Sequence, residues 1–373
     1  MKVLLLDDAS GQLASLATEL DKQGCKTALF TDAVRAVKAI AQHNIELVIC
    51  TEKPNKTTGY HVLKAISIRY PRVIRVTVDK NTVLNNSNEF AHAHFGKSHQ
   101  ASEIASQLLN FKHTHSRITK TVVIKAVSQV KTLPSPPKVY VQLKALLDDN
   151  NCDSDKIADI ITQDPALAAK VLQCSNNSFA QSNKPLTNIS DAITKMGVET
   201  LSLIVMTAEL FSQQAEIQGF SITNEQKSAL ATARFAASLV EHNQKEQTLL
   251  IGLLHRLGML ILLSIDDQLT QKYLALPHSS QLSIDVQRKI FGTDHCQVGA
   301  YLLHQWSFPY EMVRAVLEYC SPAKLIKQPF GSAHAVYIAC NLIRDHQLDE
   351  GFIKRFSLED KLPSLEKRAA KYK

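Results

Sequence analysis

The sequence predicts an α/β doubly wound domain followed by an all-α region, and three observations carry that reading. The runs VLLLD at 3–7, ELVIC at 46–50 and VIRVTV at 73–78 are dominated by Val, Ile and Leu, as strands buried on both faces of a parallel sheet are. Between them Leu13, Leu16, Ala17 and Leu20 recur at helical spacing, as do Val34, Val37 and Ala41, and then Val62, Leu63 and Ile66. Beyond residue 121 the pattern is helical almost throughout, with no sustained strand and no repeating unit. Alternating strand and helix means a doubly wound sheet, and the end of that alternation marks a second domain.

The first domain is expected to close with a helix over Ile104, Leu108 and Leu109. KHTHSRITK at 112–120 is polar, basic and unpatterned, and reads as a linker that exposes His113 and His115. In the second domain Asp164 and Pro165 signal a helix start, since Asp caps free amides and Pro tolerates the first helical position. Leu167, Ala168, Val171 and Leu172 then form its apolar face. Gly197 ends a short helix begun near Ser190, Thr293 and Asp294 open another, and Pro309 starts the one carrying Val313, Val316 and Leu317. About ten helices are expected up to residue 345. The segment 346–373 is more polar, contains Pro363 and is expected to fray after one short helix. The expected domains are thus 1–111, the linker 112–120, 121–345 and the tail 346–373, with two independently folding halves.

Length and composition agree with this division. A chain of 373 residues has room for two or three domains. With 45% hydrophobic and 21% charged residues it excludes collagen-like and disordered classes. The apolar stretch 249–263 is interrupted by His255 and Arg256, so no membrane helix is expected. The opening MKVLLLDDAS has no signal-peptide pattern, which makes a cytoplasmic location the expectation. Seven scattered cysteines without a C-x-x-C pair indicate neither a disulfide framework nor a thiolate metal site. The net charge of +7 divides into +3 over 1–111, +3 over 112–120, −1 over 121–348 and +2 beyond. With no basic block and no aromatic interleaving, nucleic-acid binding is disfavoured.

Ligands of a doubly wound sheet gather at the carboxyl ends of its strands. That rule selects Asp7 and Asp8 after the first strand, Thr51 after the third, Thr77 in the fourth and Lys97 near the fifth. With LLLDD, ELVICT and then Gly59, VIRVT, and FGK ending at Lys97, residues 1–111 resemble the flavodoxin-like receiver domain of bacterial response regulators. The resemblance implies magnesium at the acidic pair, a phosphoryl acceptor at the position of Thr51, and phosphate contacts from Thr77 and Lys97. Thr51 replaces the family's aspartate. A threonine hydroxyl without a neighbouring base is a poor nucleophile, forms no acyl phosphate, and removes a carboxylate ligand. Glu52 does not substitute, because consecutive strand residues face opposite ways, and Ser98 replaces the proline after the family's lysine. The receiver is therefore expected to be degenerate, its remaining residues a vestigial pocket or, preferably, a satisfied polar network.

In the second region LPSPPKVYVQLKALLDD at 133–149, IADIITQDPALAAKVLQCSNNSFA at 157–180, ISDAITKMGVETL at 189–201 and HCQVGAYLLHQWSFPYEMVRAVLEY at 295–319 resemble the HD-related output domain, HDOD, over about 121–345. The resemblance implies an all-helical fold related to HD metal-dependent phosphohydrolases, and an output or interaction role in bacterial signalling. An HD-type site needs clustered His and Asp to hold metal and polarise a water. In LLHRLG at 253–258 only His255 of the His-Asp pair remains, with Arg256 at the Asp position. A guanidinium about 4 Å from a divalent ion would cost roughly 8 kcal/mol at an effective dielectric near 20, if its side chain points into the site. Tyr319 and Cys320 stand where related sequences have a His pair, and Cys340 stands near the last Asp position. His295 and His304 are expected to be hydrogen-bonded structural residues. Asn176 and Asn177 are expected in a turn.

The sequence reading is thus a non-catalytic cytoplasmic signalling protein, with no metal or cofactor, that acts on a protein partner. A homodimer is left open. The competing readings are an HD-type phosphohydrolase acting on a cyclic dinucleotide, and a cyclic-dinucleotide or nucleic-acid binding module.

Overall fold

The computed structural model describes residues 1–373 except 9, 10, 12, 52–58, 79–89, 97, 98, 131–138, 140, 141, 144, 145, 147–153, 166, 170, 173–187, 213–216, 278–280 and 282. Lys97, Ser98, Glu52, Cys152, Cys174, Asn176 and Asn177 lie outside the described residues. The chain divides into two compact units, Met1–Lys125 with Gln297–Leu317, and Ala126–Cys296 with Glu318–Lys373.

The first unit runs β1 (Lys2–Leu6), α1 (Ala14–Lys22), β2 (Lys26–Phe30), α2 (Ala33–His43), β3 (Leu47–Cys50), α3 (Gly59–Arg69), β4 (Ile74–Val78), β5 (Ala93–Phe95), α4 (Ala101–Ile118) and the start of α5 (Thr121–Gln129). Its five parallel strands are ordered β2-β1-β3-β4-β5, the doubly wound flavodoxin-like order. The three central strands are the three Val/Ile/Leu runs. They are buried on both faces: Leu5, Ile49 and Val76 in one cluster, Leu4, Leu6, Val48 and Cys50 in the other. The edge strands leave a weaker signal because water reaches them, as at Leu29, which is 49% exposed.

Three expectations for this unit change. Helix α2 buries Ala36, Ala39 and Ile40, while Val34 is 64% exposed; small alanines let the helix lie close to the sheet, so the largest apolar side chains do not mark its inner face. The segment 112–120 is no unpatterned linker. Residues 112–118 complete α4, whose buried stripe runs Ile104, Leu108, Phe111, Thr114, Ile118, and the threonine hides the helical period. Finally, the unit is not continuous in sequence. Tyr310, 1% exposed, belongs to the core cluster that holds Leu108 and Phe111, and its amide donates to the His92 carbonyl at 2.9 Å.

The second unit is helical: the remainder of α5, then α6 (Ser154–Thr162), α7 (Ile189–Met196), α8 (Val198–Ser212), α9 (Ile222–Ala237), α10 (Lys245–Leu254), α11 (Leu257–Leu263), α12 (Asp267–Leu274) and α13 (Ile284–Phe291). After α14 (His295–Gln305) and α15 (Tyr310–Glu318), which lie largely in the first unit, come α16 (Pro322–Leu325), α17 (Ser332–Ile343), α18 (Glu350–Arg355) and α19 (Leu362–Ala369). The local stop and start signals are where the sequence puts them. Gly197 caps α7 at φ 76°, Asp164 Oδ1 accepts from the Leu167 amide, and α15 begins directly after Pro309.

His242–Leu263 has the length and apolarity of a membrane span, but most of it is buried within this unit, and residues 255 and 256 break it into two helices. Gly252 explains how tightly α10 packs on α9, since a Cβ there would lie 2.5 Å from Ala233 Cα. The tail is packed rather than frayed. Phe352 is fully buried, Leu365 and Ala369 are nearly so, and Arg368 donates to the Ser238 carbonyl.

Candidate functional site

The receiver pocket is built at the carboxyl end of the sheet. Leu6, Cys50 and Thr77 share one register line, so Asp7 and Thr51 extend adjacent strands beyond it. Asp7 is fully buried. Its Oδ1 accepts from the Asp8 amide at 2.8 Å and its Oδ2 from the Leu13 amide at 2.7 Å, so both oxygens are engaged in shaping the β1–α1 turn. Burial raises its pKa despite those amides. The Thr51 hydroxyl is buried and has no partner among the described residues. Thr77 Oγ1 lies 2.8 Å from His94 Nδ1, a pairing the sequence did not suggest. Where the resembled family has its phosphoacceptor carboxylate stands a threonine, and among the described residues no base is hydrogen-bonded to its hydroxyl.

The same unit contains a buried cationic cluster that sequence reasoning missed. Arg75, the second residue of β4, is fully buried. It donates to the carbonyls of Phe90 and Val73 at 2.8 Å each and to Ser307 Oγ at 2.8 Å, so none of these partners carries negative charge. Burial lowers its pKa to about 9, which leaves it charged at neutral pH. The Arg75 amide donates to His92 Nδ1 at 2.9 Å, so the His92 proton sits on Nε2, which donates to the His304 carbonyl at 2.8 Å. The His92 and His304 rings stack at 4.4 Å. His304 Nε2 and His115 Nε2 both reach the Arg72 carbonyl, at 3.1 and 2.6 Å. His115 is therefore a member of this cluster rather than an exposed linker residue, and His304 is the hydrogen-bonded structural residue the sequence suggested.

Burial, followed by nearby cationic and imidazole groups, pushes His92 and His304 well below the ordinary histidine value of 6.5. A depressed folded-state pKa means that the unfolded chain takes up protons the folded unit refuses. The stability contributed by the neutral pair is therefore present above about pH 6.5 and is lost progressively below it. Thermal melts between about pH 8 and pH 5 should show this decline, made shallower by His304→Gln. A melting temperature constant over that range would contradict it.

The HD-like site lies in the second unit. His255, at the end of α10, is fully buried and hydrogen-bonds the Gly252 carbonyl through Nδ1 at 2.6 Å. Its Nε2 has no partner among the described residues. Burial and the adjacent guanidiniums hold it neutral. Arg256 does not stand alone: its Nε donates to Glu225 Oε1 at 2.6 Å, and Arg344 Nη2 reaches the same oxygen at 2.7 Å. Burial alone would raise the Glu225 carboxyl, but the two guanidiniums outweigh it and hold it at about 2. A cavity of about 470 Å³, lined by Ser221, Asn224, Glu225, Arg256, Tyr273 and Arg344 among others, adjoins this triad. Neither Glu225 nor Arg344 was legible as a site residue.

Beside the triad, Gln287 Oε1 accepts from the His295 amide at 3.1 Å and from His295 Nδ1 at 2.7 Å. An oxygen only accepts, so the His295 proton is on Nδ1 and the Nε2 lone pair faces inward. The Tyr319 hydroxyl meets that lone pair at 2.5 Å, and the Tyr319 ring packs edge-on against His255 at 5.1 Å. Cys296 Sγ and Cys320 Sγ lie 3.6 and 3.9 Å from His295 Nε2. Cys340 is buried in the same region and interacts electrostatically with Cys320, Arg256 and Glu225. The structure thus gathers His255, Arg256, His295, Tyr319, Cys320 and Cys340 as a neighbourhood, and adds Cys296, which the sequence did not single out. Where the resembled family has aspartate stands a guanidinium tied to a carboxylate, and among the described residues the atoms around His295 Nε2 are the Tyr319 hydroxyl and the Cys296 and Cys320 sulfurs, a set softer than the oxygen donors a hard divalent ion prefers.

Among known proteins, the chain is 20% identical over 205 residues to an uncharacterised protein of Treponema pallidum (strain Nichols). That match covers 53% of this chain and 39% of the relative, so the chain spans well under half of the curated relative it matches. A crystal structure of an HDOD domain protein of unknown function from Geobacter sulfurreducens aligns with a TM-score of 0.51 at 20% identity, over 69% of this chain and 98% of that one. A candidate signal transduction protein from Marinobacter aquaeolei VT8 aligns over 96% of this chain and 84% of its own, with a TM-score of 0.52 at 14% identity. At such identities these likenesses concern the fold. Residues 133–322, just over half of the chain, match the HDOD domain family, and the protein, with its receiver-like α/β region and its helical unit, belongs to that family.

Proposed function

We infer that this is a signal-transduction protein in which a receiver unable to accept phosphate is joined to a non-catalytic HDOD module whose output is contact with another protein. The observation that carries the reading is the Glu225–Arg256–Arg344 triad. It turns the position of the metal-binding aspartate into a structural ion pair, with Arg256 Nε 2.6 Å from Glu225. With a guanidinium in place of that carboxylate, the hard-metal centre that would activate a water for phosphodiester attack loses a ligand. A protein-binding surface needs no such cluster, and a cytoplasmic setting suits the reading.

Hydrolysis of cyclic di-GMP by the full chain, assayed with manganese, tests it. No turnover above the blank is expected. Turnover abolished by His255→Ala would overturn the non-catalytic reading.

The receiver half has its own test. After incubation with acetyl phosphate and magnesium, the intact mass is expected to be unchanged, because among the described residues no base is hydrogen-bonded to the buried Thr51 hydroxyl. An added phosphoryl group mapped to residues 1–111 would count against this. Thr51→Asp is expected to gain partial labelling, since Asp7, Asp8 and Thr77 remain in place.

A further inference from the structure

The remnant of the HD site is poor in hard ligands but has a compact soft set. We propose that His295, Cys296 and Cys320 form a binding site for a thiophilic d10 cation, zinc(II) or copper(I), in place of the hard metals of HD enzymes.

The geometry is close to that of a loaded site. Tetrahedral zinc, with bonds of about 2.3 Å to sulfur and about 2.0 Å to imidazole nitrogen, sets each sulfur about 3.6 Å from the nitrogen. Here those separations are 3.6 Å for Cys296 and 3.9 Å for Cys320, and all three donor atoms lie within 4.8 Å of one another. The imidazole is already in the ligating tautomer. Gln287 Oε1 accepts the Nδ1 hydrogen bond at 2.7 Å, the outer-sphere arrangement that metal-bound histidines commonly have, and leaves Nε2 unprotonated, its lone pair accepting from the Tyr319 hydroxyl until a cation displaces that hydroxyl. Gln287 is itself fully buried, so this orientation is held rigidly.

Charge also permits the site. Two thiolates neutralise a divalent ion, and the repulsion that Arg256 would exert on a bare cation is offset at its source by Glu225. The balance is simple: each thiol that ligates gives its proton to solvent, zinc(II) releasing up to two, with no change of oxidation state. The Tyr319 hydroxyl, which now donates to Nε2, is freed to donate to a thiolate. Three protein donors leave a fourth position open; the proposal concerns binding of the ion alone, so it stands or falls independently of the non-catalytic reading above, which the hydrolysis assay tests.

The test uses the full chain, reduced, stripped of metal and then titrated with cobalt(II), zinc(II) and copper(I). About one equivalent should bind tightly. Cobalt should give thiolate charge-transfer absorption and the intense visible bands of a tetrahedral site, displaced by zinc. The charge-transfer band should be lost or strongly reduced in Cys296→Ser and Cys320→Ser, and kept in Cys340→Ser. Because either serine variant could fail to fold, wild-type protein provides a second measurement: zinc should protect both Cys296 and Cys320 from alkylation, mapped by peptide mass. Stronger retention of zinc or of copper identifies the cation, and either supports the site. Absence of the charge-transfer band with no protection of these two thiols would overturn it, as would recovery of the native protein with Cys296 and Cys320 joined as a disulfide.

Discussion

Glu225→Gln is expected to destabilise the helical unit by about 3–5 kcal/mol, the range for removing one partner of a buried ion pair. Glu225, Arg256 and Arg344 have side chains no more than 10% exposed. Both guanidiniums use the same carboxylate oxygen, so a neutral amide leaves two buried cations facing each other. Urea unfolding measures the loss, and a change under about 1 kcal/mol would show that the triad is not holding α9, α17 and the α10–α11 junction together. Arg256→Met combined with Glu225→Leu is expected to be milder than Glu225→Gln alone, because only one uncompensated cation then remains. The same pair sets an acid limit. Glu225 titrates at about 2 rather than the ordinary 4.5, so its contribution, about 3 kcal/mol, is complete above pH 4.5 and is lost as pH falls through about 2.

Residues 1–120 expressed alone are expected to be about 3–5 kcal/mol less stable than the same residues in the full chain, the scale of deleting a large buried aromatic side chain. The fragment lacks Gln297–Leu317, which belongs to the same compact unit. It loses Tyr310 from the core cluster around Leu108 and Phe111. It also uncovers Arg75 and His92, whose partners include Ser307 Oγ and the His304 carbonyl. Tyr310→Ala in the full chain should reproduce much of the effect on this unit, read by amide exchange in β4 and β5. Equal protection of those strands in the fragment and the full chain would refute it. This measurement tests the independent folding of the two halves that the sequence suggested, against compact units whose division crosses the chain.

Features legible in the sequence were those with short-range causes. β1, β3 and β4 announced themselves because central parallel strands must be apolar on both faces. Gly197, Asp164 and Pro309 marked helix ends through backbone geometry and capping, which operate over a few residues. Arg256 beside His255 was readable as a departure from the resembled His-Asp pair because it sits inside one local motif.

What tertiary structure decided were contacts between distant positions and the mixed roles of single residues. Glu225 lies 31 positions from Arg256 and 119 from Arg344, and no local pattern distinguishes its carboxylate from one on a solvated helix face. Arg75 interrupts an apolar strand by one residue, and its hydrogen bond to Ser307 spans 232 positions. Thr114 broke the apolar period of α4 in sequence while being buried in it. By itself the sequence determined the succession of sheet and helices, and that Thr51 and Arg256 stand where the resembled families have aspartate, because these depend on residue type at a local position. Only the fold decided which buried charges compensate each other, where Gln297–Leu317 belongs, and that His295, Cys296 and Cys320 converge, because side-chain pairing energies act through space and leave no period along the chain.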